Sequence, residues 1–217
     1  MTMYPYSYNE VRNKERRLHV NGLGRLSVQP DIATIHIGVI SENEKIQIAE
    51  KENTQATESF LSALKQAGIN EKQIQTTHFN VHPIYHQQDD SSQISGYQVT
   101  NEVRVTVSQL NQIGTIIALA MEHGANQINS LEFGLTEKQK WYYKALNEAL
   151  VDAISKAQSI ANVLNVTVDL TPIKITEDSR QIQPFTQKIA LQSIASPPIE
   201  PGEIIVEAII TAVFRYS

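Results

Sequence analysis

Residues Pro30–Ile69 read PDIATIHIGVISENEKIQIAEKENTQATESFLSALKQAGI. Two periods meet in this stretch. From Ile32 to Ile40 the residues alternate, with Ala33, Ile35, Ile37 and Val39 on one face and Ile32, Thr34, His36 and Gly38 on the other. A period of two is a β-strand with one buried face. Beyond Ser41 the period changes. Ala49, Ala56, Phe60, Ala63, Leu64 and Ala67 recur at helical spacing, which predicts an amphipathic helix. Ser41 and Glu44 stand at capping-box spacing, and Gly68 stands where a helix ends in a left-handed residue.

The same punctuation continues outward. Gln73–Tyr85 alternates as a strand, with Phe79, Val81 and Tyr85 on one face. His86–Gln93 is polar and predicts a hairpin loop. Ile94–Val107 returns as a strand through Val99, Val103, Val105 and Val107. A second helix from about Gln109 to His123 ends at Gly124, and Ile128–Leu135 is a short strand. Ile32 to Leu135 thus reads strand–helix–strand–strand–helix–strand, the split βαβ order of a ferredoxin-like α+β sandwich with an antiparallel sheet. Before it, Leu18–Val28 is a strand that turns at Pro30-Asp31.

After it comes the longest helix. Thr136 and Gln139 repeat the capping-box spacing, and Ala145, Ala149, Ala153, Ala157 and Ala161 follow four apart. An alanine ridge lets another element approach closely, which predicts core packing; a sharper reading makes it a subunit contact. Asp152 and Lys156 beside it are an i,i+4 ion pair in the favoured orientation. Val166–Ile175 predicts a strand. Thr176–Glu203 is long for a connection and holds Pro184, Pro197, Pro198 and Pro201, so it predicts a stiff arm, with a short strand at Thr186–Ile194. Ile204–Tyr216 closes the chain as an apolar strand.

Composition removes several classes of function. The chain has 217 residues, no cysteine, and 18 Lys and Arg against 23 Asp and Glu. Thiol catalysis, disulfides, iron–sulfur clusters and cysteine-held zinc are excluded, and with three methionines little reversible redox chemistry remains. The acidic balance argues against a nucleic-acid partner, which selects a basic face. No apolar run reaches the ~18 residues of a membrane helix. Met1–Arg16 reads as a flexible polar arm, with alternating Tyr4, Tyr6 and Tyr8 before a small basic cluster, and lacks the form of an export signal. The expected location is therefore the cytoplasm.

Catalytic signatures are sparse. Asn21-Gly22-Leu23-Gly24 lacks the third glycine of a dinucleotide loop and precedes a strand, so a bulge or a close backbone approach explains it better. His78, His82 and His86 would share a metal on a helix, but on a strand histidines four apart stand ~13 Å from each other. Asp89 and Asp90 read as solvated charges in the loop. His82, Tyr85 and Tyr97 are the candidate pocket for a small ligand.

Gly22-Leu23-Gly24, then Val28-Gln29-Pro30-Asp31-Ile32-Ala33 and Gly38-Val39, resemble the opening of the SIMPL domain family. The likeness runs on through Gly68-Ile69, Ile74-Gln75-Thr76, Phe79 with Pro83 and Tyr85, Gly96-Tyr97 with Asn101, Gly124-Ala125-Asn126 and Phe133. It continues in the alanine helix and in Pro198-Ile199 and Pro201-Gly202-Glu203, covering about Leu18 to Ser217. The resemblance implies one α+β domain over residues 17–217 behind the arm, large homo-oligomers of ring-like or hollow form, and roles in oxidative-stress defence or as bacterial surface or periplasmic antigens. A eukaryotic member is tied to kinase signalling. No catalytic residue and no cofactor come with it. The expectation is a non-enzymatic, self-assembling protein whose partner is itself, with Ala149, Asp152, Ala153, Lys156, Ala157, Pro198, Pro201 and Gly202 as candidate interface or structural residues. The alternative is a small-ligand binder or enzyme with a pocket near the Gln73–Val107 hairpin.

Overall fold

The computed structural model describes residues 16–88, 91–178, 186–187 and 200–217. In chain order its elements are β1 (Arg17–Val28), β2 (Ile32–Asn43), α1 (Ile46–Gln66), β3 (Ile74–Gln88), β4 (Ser91–Val107), α2 (Ile113–Glu122), β5 (Gln127–Gly134), α3 (Lys138–Leu164), β6 (Lys174–Asp178), β7 (Thr186–Gln187) and β8 (Ile204–Arg215). They form two compact units, whose boundaries fall after Leu26, after Lys138, after Ile182 and after Ile204.

One unit is the expected α+β sandwich. Its sheet has the order β3-β4-β2-β5-β7, and every pairing is antiparallel. That is the ferredoxin-like arrangement, because each helix crosses back over the sheet before the chain re-enters it. The alternating face of β2 is the core: Ala33, Ile35, Ile37 and Val39 are all buried, and Val103, Val105, Phe60, Leu64, Ile116 and Phe133 close over them. One polar residue sits in this layer. The Asn53 amide, buried on α1, donates to the carbonyls of Val39 (2.9 Å) and Val99 (3.0 Å) and so ties the helix to two strands. Gly124 takes φ +111°, and a Cβ there would meet the α1 backbone at Ala56 (3.2 Å), so α2 ends where only glycine fits.

The other unit has a three-stranded sheet in the order β1-β8-β6. Contacts between β1 and β8 run in opposite senses, Arg16 with Tyr216, Asn21 with Thr211 and Arg25 with Glu207, so the pair is antiparallel, as is β6 with β8. The α3 alanines are all buried. They lie against Gly22 and Gly24, where an added Cβ would stand 2.0 Å from the Ala149 carbonyl oxygen and 1.8 Å from that of Ala145. The two glycines of β1 therefore serve close backbone approach, as expected. The helix ends on Asn165 at φ +50°, the commonest substitute for glycine at that position.

Several expected boundaries shift for visible reasons. Ser41 is not a helix cap: it pairs with Val99 and lies inside β2, which runs to Asn43 because β4 is long enough to hold it. The helix starts at Ile46 after an extended Lys45 with no side-chain cap. Thr136 instead donates its hydroxyl to Asp31 (3.1 Å), which also receives the Thr136 N–H (2.6 Å). The strand expected over Val166–Ile175 lies at Lys174–Asp178. Before it, Asp169 takes the Thr171 N–H (2.9 Å) in a local turn and Pro172 has no N–H to give, so only the isolated bridge Val168–Tyr216 forms there. The hairpin loop is shorter than His86–Gln93, since pairing continues to Gln88 with Ser91. The arm Met1–Glu15, Asp89-Asp90, Pro184, Pro197 and Pro198 lie outside the described residues.

Candidate functional site

The β3–β4 hairpin carries the proposed pocket residues, and strand alternation sets one of them apart. His82 pairs with Gln98, and the adjacent Pro83 pairs with Tyr97. Directly paired residues share a face and neighbours alternate. Tyr97 therefore lies on the helix-bearing face, in phase with Val99 and Val103, while His82 lies on the opposite, open face. Tyr85, two residues beyond Pro83, returns to the Tyr97 side; it pairs with Ile94 across a register shift and is 59% exposed. The sheet thus separates His82 from Tyr97 and leaves Tyr85 and Tyr97 on one face.

What the hairpin does present is apolar surface. Phe79, Tyr85 and Ile94 are 58%, 59% and 53% exposed. The cause is topological. α1 packs on β2 and β4, whereas β3 is the outermost strand. Moreover β2 ends at Asn43, opposite Tyr97, so Ser91–Gly96 have β3 as their paired neighbour and extend past the sheet's central strand. Among the described residues no three His, Asp or Glu side chains could hold one metal ion. His78 and His82 are exposed and spread along β3.

The densest polar cluster, on the open face, was not anticipated. Glu102 Oε1 accepts from His36 Nδ1 (2.8 Å) and from the Thr77 hydroxyl (2.8 Å), and Oε2 accepts from the Asn129 amide. Thr77 reaches it because it is the extra residue where β3 slips register between Thr76 and His78. Burial alone would raise the Glu102 carboxyl, but the hydrogen bonds from His36, Thr77 and Asn129 outweigh it and hold the group below its ordinary value. The available signal was a carboxylate in the outward phase of a strand flanked by Val103 and Asn101. With its acceptor atoms occupied, Glu102 orders four strands.

In the other unit Asp152 and Lys156 do more than pair with each other (2.6 Å). Asp152 also accepts the backbone N–H of Leu23 (2.8 Å), and Lys156 donates to the carbonyl of Asn21 (3.1 Å). Residues 21 and 23 of β1 point these groups the same way, so α3 supplies one donor and one acceptor where a further strand would have supplied them. The Lys156 hydrogen bond, helped by that from Leu23, holds the Asp152 carboxyl low. Ala149, Ala153 and Ala157 are buried beside this contact. Further along α3, the Tyr142 hydroxyl donates to Glu177 of β6, which pushes the phenol up to about 12. Pro201 is half-buried and Gly202 exposed. The outward row of α3 leaves Tyr143, Val151 and Val163 exposed. No helix among the described residues is long and apolar enough to cross a membrane.

A ferredoxin-like sandwich and a glycine-bearing strand under an alanine-ridged helix define the class of this α+β protein. The chain belongs to the SIMPL family, described as protein of unknown function (DUF541), which matches residues 18–214. It is 28% identical over 219 residues to a 26 kDa periplasmic immunogenic protein of Brucella melitensis, covering 95% of this chain and 87% of that one. It is 31% identical to the uncharacterized protein YggE of Edwardsiella ictaluri (69% of this chain, 64% of that one). It is 30% identical to YggE of Escherichia coli K12 (65% and 58%). These names correct the cytoplasmic expectation: relatives that match nearly the whole chain, in two Brucella species, are named as periplasmic.

Proposed function

We propose that this chain is a non-enzymatic protein of the bacterial periplasm that assembles with copies of itself and serves a stress-related process. The observation that carries assembly is the exposed apolar surface of the hairpin, Phe79, Tyr85 and Ile94, the last two on the part that runs past β2. Large exposed apolar side chains on one element mark contact surfaces. The non-enzymatic reading is supported by Glu102, both of whose carboxylate oxygens accept hydrogen bonds that hold strands together. The periplasmic location is supported by the names of the Brucella relatives, and the link to stress rests on the family likeness alone. Multi-angle light scattering on a size-exclusion column tests the assembly. A mass several times 24.3 kDa is expected. A strict monomer at tens of micromolar overturns it.

A further inference from the structure

The outer edges of the two sheets are finished in different ways. On β1 the side chains of Asp152 and Lys156 occupy an outward N–H and C=O. On β6, three of five residues are charged, Lys174, Glu177 and Asp178. Of β7, Thr186–Gln187 are the described residues. Covering and charge are ordinary guards against strand addition. β3 is the exception. It is an edge strand of 15 residues, IQTTHFNVHPIYHQQ, without one Lys, Arg, Asp or Glu.

The middle of β3 also reads nearly the same in both directions. His78-Phe79-Asn80-Val81-His82-Pro83-Ile84-Tyr85-His86 places His82 at a centre. Around it His78 answers His86, Phe79 answers Tyr85 and Val81 answers Pro83. An antiparallel pair of identical strands has a two-fold axis normal to the sheet, and it matches residue i with its mirror position on the partner. Centred on His82, such a pair sets the exposed Phe79 of one copy against the exposed Tyr85 of the other, twice. Aromatic cross-strand pairs of that kind favour pairing, and no fixed like charges meet. The extra residue of β3, Thr77, lies outside the nine residues, and the second register shift, between Ile84 and Tyr85, falls inside them but places its extra residue, Ser95, on β4 and not on β3. Pro83 withholds one N–H per copy and stands beside Val81 of the partner; the remaining edge groups are unaffected.

We infer that a second copy of this chain docks by antiparallel addition of β3 to β3 about His82, joining two five-stranded sheets into one. The inference rests on the self-assembly proposed above and names its surface. The cysteine-free sequence allows a direct test in the intact chain of 217 residues. At the axis the two residues 82 have Cα atoms ~4.5–5.5 Å apart, within disulfide reach. Two residues 80 are offset by about four positions, ~13 Å, and are not. Under mild oxidation His82→Cys is expected to form a covalent dimer and Asn80→Cys to stay monomeric on a non-reducing gel. A second variant, Asn80→Lys with His82→Lys, is expected to weaken association about tenfold or more by light scattering, with an unchanged circular dichroism spectrum. If the unmodified protein is oligomeric but His82→Cys does not cross-link, or cross-links no better than Asn80→Cys, the β3 pairing is overturned and self-assembly stands. If the unmodified protein is monomeric, both fall.

Discussion

Replacing Gly24 by alanine should destabilise this protein sharply, although alanine is the better strand residue. A Cβ at position 24 would lie 1.8 Å from the Ala145 carbonyl oxygen and 2.7 Å from the Ala149 nitrogen. Ordinary contact begins near 3.4 Å, so α3 would have to recede by about 1.6 Å. Both obstructing atoms are backbone, so no rotamer change relieves them. Receding would also loosen the five buried alanines, which pack only because strand and helix backbones touch. Overpacking of this kind costs about 1–3 kcal/mol and sometimes more. Against it stands a gain of about 0.5–1 kcal/mol from removing a glycine's unfolded freedom. With a backbone atom at 1.8 Å the cost falls at the upper end of that range, so the expected net loss is about 2 kcal/mol, or roughly 4–8 °C in Tm for a chain this size. Gly38→Ala is the internal control, since its Cβ would stand 3.4 Å from Gln127 and no closer to anything else. Thermal unfolding followed by circular dichroism decides. If Gly24→Ala melts at or above the unmodified protein, the close approach of α3 to β1 is not what the glycines are for.

Two further outcomes follow from the polar contacts. Glu102→Gln should lower stability at neutral pH by roughly 1 kcal/mol. Glu102 is held below its ordinary 4.5 in the fold, so its contribution is full above that value and is lost as pH falls through the folded one. The gap in Tm between the two proteins should therefore close below about pH 4.5, and a gap that stays constant to pH 3 contradicts the assignment. Asp152→Ala frees the Leu23 N–H and leaves Lys156 without its carboxylate, so it should cost about 1 kcal/mol and raise light scattering on heating, as the β1 edge becomes open to strand addition. Unchanged scattering would mean that the helix does not guard that edge.

How much of this could be read from the residues depends on what each feature needs. The sandwich order follows from period changes and glycine stops, which are local, and so the elements from Ile32 to Leu135 are legible. The close approach at Gly22 and Gly24 was legible too, as glycines in a strand have few other uses. The faces of β3 were not. Phe79 and Tyr85 do alternate with polar neighbours, yet they are exposed, because cover depends on which strand lies under α1 and not on the pattern of β3 itself. The separation of His82 from Tyr97 is a matter of parity, which needs the pairing register. Asn53 left a faint mark, a polar residue on the apolar stripe of Ala49, Ala56 and Phe60. Asp152 and Lys156 were visible as a helix pair, but their second partners are 129 and 135 residues away, where no spacing rule reaches.

The sheet of β1, β8 and β6 is threaded from distant parts of the chain, and this bears on the order of events during synthesis. β1 emerges from the ribosome first, but its hydrogen-bonded neighbour β8 begins at Ile204. At about 5–20 residues per second the nascent β1 waits roughly 10–40 seconds for that neighbour, while the strands from Ile32 to Gly134 can already have closed their own sheet. A ribosome stalled or a chain cut before Ile204 would release a finished sandwich trailing an unpaired glycine-bearing strand. For a chain of this topology, completion of the sheet that holds β1 therefore waits on β8.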